Sequence, residues 1–119
     1  MNSKELGKVG EEMAVKHLQQ NGYVIYERNY TYDRAEVDIV AEQNGMLVFV
    51  EVKTRTSAYL SDPSLLISRK KQRQIIKASD NYAREVHPGK ESRFDVIIIV
   101  TNSKYSSLEH IIDAFYPML

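Results

Sequence analysis

A chain of 119 residues without a single cysteine is the length of one domain, and it excludes a disulfide scaffold, a thiol nucleophile and a Cys-ligated zinc. Hydrophobic residues at 43% and charged residues at 27% match ordinary globular usage, and the longest apolar runs, Met46–Val50 and Val96–Val100, fall far short of the ~20 residues of a membrane-spanning helix. Sixteen basic and sixteen acidic residues cancel, but residues 1–52 carry nine acids against five bases and residues 53–119 carry seven against eleven. That split suggests an acidic cluster facing a basic surface. With no cysteine and no apolar leader in Met1–Glu5, a cytoplasmic protein is expected.

Residues 3–20 place Leu6, Val9, Met13, Ala14, His17 and Leu18 at three- and four-residue steps, predicting an amphipathic helix with Ser3 as N-cap and Asn21-Gly22 as its end. Tyr23–Tyr32, Ala35–Glu42 and Met46–Arg55 read as strands, the last two joined at Asn44-Gly45, the preferred pair for a type I′ hairpin turn. Thr56–Ser64 reads as a loop. Helical spacing returns from Ser68 to Glu85 and is broken by His87-Pro88-Gly89. Arg93–Thr101 is a nearly continuous apolar run, hence a central strand covered on both faces, and a short edge strand is expected within Leu108–Phe115. The order αβββαβ plus an edge strand predicts one domain over residues 1–119, an α/β sandwich around a central mixed sheet.

With Asn44-Gly45 as the turn, opposed residues carry numbers summing to 89. Val37 then faces Val52, Ile39 faces Val50 and Ala41 faces Val48, six apolar side chains on one face that should be core. On the other face Asp38 stands opposite Glu51, and Glu36 opposite Lys53. Opposed like charges are destabilising, so the pair calls for a cation. Lys53 in a structural ion-pair network would serve, and so would a divalent metal, which takes oxygen ligands at this separation. The pairing alone does not choose between them.

In the first helix Glu12 falls between Lys8 and Lys16 on the solvated face, whereas Glu11 lies beside Gly7, Ala14 and Leu18 at the margin of the apolar stripe. Glu11 is therefore either a third acid of a metal site or the partner of a buried cation. In the second helix Lys70, Arg73, Lys77 and Arg84 form one stripe, and no acid lies between Arg69 and Lys77 to pair with it. Such a stripe is a solvated face or a phosphate-binding surface. Lys71 shares the inner line of Ile75, Ala78 and Tyr82, where it snorkels or reaches a carboxylate pocket. No two of the three histidines have metal-pair spacing, and His17 reads as a packed boundary residue.

Asp38, then Glu51-Val52-Lys53, resembles the signature of the restriction-endonuclease-like PD-(D/E)xK nucleases, with Val37 where the motif's name has proline. Gly7-x-x-Gly10-Glu11-x-x-Ala14, Gly22-Tyr23, Arg28-Asn29-Tyr30, Glu36-Val37-Asp38-Ile39-Val40-Ala41 and Val48–Arg55 follow in order. Lys71-Gln72-x-x-Ile75, Ala78, Tyr82, Arg93-Phe94-Asp95-Val96 and Ala114-Phe115 complete the pattern, which resembles the YraN family and, more distantly, archaeal Holliday junction resolvases. Ala35 stands where that family usually has glycine.

The resemblance implies a restriction-endonuclease-like fold and a Mg²⁺- or Mn²⁺-dependent endonuclease acting on DNA, structured or branched DNA included. It implies a catalytic set of Glu11, Asp38, Glu51 and Lys53, with Asp38, Glu51 and Glu11 on the metal and Glu36 and Lys71 close behind. Arg55, Lys70, Arg73 and Lys77 would hold the nucleic-acid backbone, Thr56–Ser64 would close over the substrate, and the resolvases point to a homodimer. The alternative is a non-catalytic nucleic-acid-binding or assembly module that keeps the nuclease fold.

Overall fold

The protein is described here from a computed structural model, over residues 1–57 and 67–117. The chain order is α1 (Ser3–Gln20), β1 (Val24–Tyr32), β2 (Ala35–Gln43), β3 (Met46–Arg55), α2 (Arg69–Val86), β4 (Ser92–Thr101) and β5 (Ser106–Phe115). The five strands form one sheet in the order β1-β2-β3-β4-β5. Only β3 and β4 run parallel, and α2 belongs to the crossover between them, so the sheet is mixed.

Each helix covers one face of the sheet. Ala14, Val15 and Leu18 of α1 pack on Ile39, Ala41, Val48, Val50, Ile97 and Ile99. Ile75, Ala78 and Tyr82 of α2 pack on Val37, Val40, Leu47, Phe49, Phe94, Val96 and Ile98. β4 is buried on both sides from Phe94 to Val100, which explains its unbroken apolar run.

The ends of α1 differ from the sequence expectation for local reasons. Asn2, not Ser3, is the N-cap: its Oδ1 accepts from the Glu5 N–H at 2.9 Å, and its Nδ2 donates to the Glu5 carboxylate at 2.8 Å. The reciprocal partner three residues on is what Ser3 lacks. At the other end the Gly22 N–H donates to the Gln19 carbonyl and the Tyr23 N–H to the Leu18 carbonyl, with Gly22 at φ +85°. This Schellman closure takes Tyr23 out of the strand, and β1 starts at Val24. On the far edge Asn102 closes the β4–β5 turn by accepting from the Lys104 and Tyr105 N–H groups, so β5 begins at Ser106 rather than Leu108.

The β2–β3 hairpin has the expected register, from Gln43↔Met46 to Ile39↔Val50, with Asn44 and Gly45 at φ +52° and +79°. Beyond Ile39 the pattern changes. The Asp38 carboxylate accepts the Val52 N–H at 2.8 Å, a backbone donor that a further rung would otherwise occupy. Level with Asp38 in β1, between the rungs Arg28↔Ile39 and Tyr30↔Val37, Asn29 adopts a left-handed φ of +54°. Side-chain alternation slips there, so Val37 packs under α2 with Val40, not under α1 with Ile39 and Val50 as the uninterrupted register predicts.

Close approach of α1 to β3 holds this end of the sheet in place. A Cβ built on Gly10 would lie 1.9 Å from Thr54 Oγ1 and 2.9 Å from Thr54 Cβ. Gly10→Ala is therefore expected to push α1 off β3 and to destabilise the protein by about 1–3 kcal/mol, the usual cost of overpacking, in urea unfolding. Gly7, with nothing near its missing Cβ, should accept alanine without that cost.

Candidate active site

Asp38 and Glu51 are the next residue on each strand after the last rung of the hairpin, Ile39↔Val50. Glu51 lies on β3 between Val50 and Val52, and its side chain is only 6% exposed. Its Oε1 lies 3.8 Å from Lys53 Nζ, while Oε2 is buried without a hydrogen-bond partner. Burial, then the adjacent Asp38 charge, push the Glu51 carboxyl up to about 7, against the nearby charges of Lys71 and Lys53. Asp38 is also held above the usual carboxylate range, by burial first, with the Glu36 and Glu11 charges adding to it. The Val52 N–H and Lys71 act the other way. The Asp38 charge thus adds to burial in making Glu51 harder to ionise.

Lys71, half-buried on α2 in line with Ile75, Ala78 and Tyr82, acts on both carboxyls by its charge, and among the described residues no salt bridge joins it to either. Glu36 sits on β2 two residues before Asp38 and acts on it by charge. Glu11 is near enough for its charge to reach Asp38, but its Oε1 is bonded by Arg28 Nε at 3.0 Å and Asn29 Nδ2 at 3.2 Å. Among the described residues, no three acidic or histidine side chains converge as a ready-made metal cage.

The predicted basic stripe is less uniform than its spacing suggests. Lys77 forms an ion pair with Asp33, at the end of β1, and Arg84 pairs with Asp80 at 3.2 Å, which corrects the reading of an unpartnered row. For Lys77 the expectation failed because Asp33 is 44 residues away in sequence, whereas Asp80 stands one helical turn before Arg84. Among the described residues no salt bridge engages Lys70, Arg73 or Arg55, and Arg55 only donates to the Thr54 carbonyl. Arg73 and Lys77 line a groove of about 1010 Å³ between α2 and the end of β5, whose walls include none of Asp38, Glu51 and Lys53. α2 also starts with Arg69, Lys70 and Lys71 and has no acid in its first turn. Three cations at the positive end of a helix are unfavourable unless anions balance them, and Asp38 and Glu51 do so for Lys71. The segment 58–66, most of the loop expected to cover the substrate, lies outside the described residues.

A second polar cluster lies under α1, and sequence spacing does not predict it. Asp95, fully buried on β4, accepts from Arg93 Nε and Nη2 at 2.9 and 2.7 Å and from the Asp113 N–H at 3.1 Å. Its Oδ2 is also 2.7 Å from His110 Nε2. His110 Nδ1 is 3.0 Å from His17 Nε2, and Arg93 also donates to the Tyr23 hydroxyl at 2.6 Å. The one signal in the sequence is an acid inside an apolar strand, which cannot be buried without donors. The network ties α1 to β4 and β5 and is satisfied internally.

A UPF0102 protein of Christiangramia forsetii is 43% identical over 112 residues, covering 94% of each chain. One from Dictyoglomus thermophilum is 39% identical over 118 residues, covering 97% of this chain and all of its own. A solved fdxN element excision controlling factor protein from Anabaena variabilis superposes with a TM-score of 0.46 at 16% identity, covering 87% of this chain and 98% of that one, which is too loose to bear on function. The sequence model of the uncharacterised protein family UPF0102 matches residues 10–99, a span that holds Glu11, the Asp38–Glu51 pair, Lys53 and Lys71. With that match, and with relatives aligned over nearly their whole length, the chain belongs to the UPF0102 family.

Proposed function

We propose that the protein is a divalent-cation-dependent endonuclease hydrolysing phosphodiester bonds in DNA, with Asp38 and Glu51 as the principal carboxylates for Mg²⁺ or Mn²⁺, Glu11 as a third, and Lys53 as the cationic catalytic group. The observation that carries this reading is the buried Oε2 of Glu51, which meets a second carboxylate, Asp38, and receives no hydrogen bond from a cationic or amide donor. Mg²⁺ is usually held by one or two protein carboxylates, with water and substrate phosphate completing its shell, so this donor set fits without a full protein cage. The two-helix sandwich around a mixed five-stranded sheet supports grouping the protein with the restriction-endonuclease-like nucleases its sequence resembles.

Bound at this pair, the cation would supply an activated water at neutral pH and neutralise charge on the scissile phosphate. The Val52 N–H fixes Asp38 in place for that task. Glu51, titrating near 7, can give up its proton at little cost as positive charge arrives. Lys53 Nζ, close to Glu51, is placed to stabilise negative charge developing on the phosphate. Lys70, Arg73 and Arg55, without salt-bridge partners among the described residues, would hold the backbone without reading sequence. No helix among the described residues is long and apolar enough to cross a membrane.

One observation favours the rival, a non-catalytic binding module: Lys53 and Lys71 already offset part of the charge of the pair. A cleavage screen over duplex, single-stranded, flapped and branched DNA with Mg²⁺ and Mn²⁺ separates the two. Cleavage is expected from the wild type and not from Asp38→Asn, which keeps an acceptor for the Val52 N–H. Binding of all four substrates with none cleaved would favour the rival.

A further inference from the structure

Arg28 and Glu11 form a contact that the proposed chemistry leaves unexplained. Arg28 lies on β1 with its side chain 39% exposed, and it engages two carboxylates of α1 at once: Nε bonds Glu11 Oε1 at 3.0 Å and Nη2 bonds Glu12 Oε1 at 2.5 Å. Asn29 adds a third donor to the same Glu11 oxygen from a left-handed backbone, and that strained position is level with Asp38. Glu11 is only 15% exposed, and the seat of Gly10 on Thr54 fixes its backbone beside β3. A carboxylate so placed is held by Arg28 and Asn29 while its charge is felt at Asp38, so Arg28 competes for it with any cation at the pair.

Resting on the metal reading above, we propose that Arg28 is the counter-ion that holds Glu11 off the metal position, and that metal arrival exchanges the partners: Glu11 turns to the cation and Arg28 is freed to take a phosphate oxygen of the substrate. The charge count favours exchange. Without metal, the single positive charge of Arg28 is shared between Glu11 and Glu12, which leaves the two on α1 with a net negative charge beside Asp38. A divalent cation removes the need for that neutralisation at Glu11, and a guanidinium left with Glu12 alone has its remaining donors free for a phosphate. Arg28 is then a positioning residue in the metal-free protein and a substrate contact in the loaded one.

A double-mutant cycle on Mn²⁺ binding tests this by calorimetry, with Arg28→Gln, Glu11→Gln and both together. Arg28→Gln is expected to bind Mn²⁺ more tightly than the wild type by about fivefold, the scale of one exposed ion pair, and the gain should vanish in the Glu11→Gln background. Binding of a short DNA duplex should weaken in Arg28→Gln with Ca²⁺ present and be unchanged in EDTA. Arg28→Lys, which keeps the charge, should lie between. Wild-type binding of Mn²⁺ with Arg28→Gln equal or weaker would overturn this inference and leave the metal reading standing, as would equal losses of DNA affinity with and without Ca²⁺. No Mn²⁺ binding by the wild type would overturn both.

Discussion

Glu51→Gln is expected to make the metal-free protein more stable at pH 8, by about 3 kcal/mol, while abolishing its response to Mg²⁺ and Mn²⁺. The figure follows from the carboxyl being raised from 4.5 to about 7 in the fold, by burial and by Asp38. A group with a raised folded pKa binds a proton that the unfolded chain has already released. Stability from Glu51 is therefore greatest below pH 4.5, falls as pH rises towards 7, and stays at its lowest above that. Glutamine does not titrate and removes the fall. Urea unfolding of both proteins at pH 5 and pH 8 measures it: the stability difference should be small at the lower pH and large at the higher. A variant less stable than the wild type at pH 8 would mean that Lys53 and Lys71 hold Glu51 as a structural anion.

Asp95→Ala is expected to have the opposite effect, a loss of about 3–5 kcal/mol, because it leaves Arg93 buried without its counter-charge and His110 without its hydrogen-bond partner. Burial alone would raise the Asp95 carboxyl, but the bonds from His110, Arg93 and the Asp113 N–H hold it below the usual range. Its contribution is thus complete above the ordinary carboxylate value and is lost as pH falls through the lower folded one. His17 is depressed as well, by burial and then by the facing His110, so its contribution is present above 6.5 and fades as pH drops below that. The α1 face weakens in acid and the Asp38–Glu51 pair weakens as pH rises to about 7, so metal-free stability passes through a maximum on the acid side of neutrality. Melting temperatures across pH 4–9 should trace that maximum in the wild type, and Glu51→Gln should shift it upward.

The parts of this account legible in the sequence are those governed by short-range rules. Asn44-Gly45 admits one tight turn, that turn sets the hairpin register, and the register brings Asp38 beside Glu51. Helical periodicity puts Lys71 in line with Ile75, Ala78 and Tyr82, and leaves open whether it snorkels or reaches a carboxylate; its charge acts on both Asp38 and Glu51. What escaped was set by contacts between distant elements. Glu11 finds Arg28 on a strand 17 residues on, Lys77 finds Asp33 across 44 residues, and His17 meets His110 across 93. The misplaced face of Val37 has a local cause of a subtler kind: Asp38 bonds the Val52 N–H with its side chain and interrupts the alternation that its neighbours obey. The cap itself is a local feature, since Glu5 three residues later marks Asn2 rather than Ser3.

The central claim, that Asp38 and Glu51 are paired in order to hold a divalent cation, is tested most directly by the melting temperature of the wild type and Asp38→Asn as Mn²⁺ is raised to millimolar concentration. Ligand linkage gives the wild type about 2.7 kcal/mol at a metal concentration of 100 times Kd, a shift of several degrees for a chain of this size. Asp38→Asn should start at least as stable as the wild type without metal and show no shift with it. A wild type indifferent to Mn²⁺, together with an Asp38→Asn protein clearly less stable than it, would contradict the claim and leave the pair as part of a structural charge network with Lys53 and Lys71.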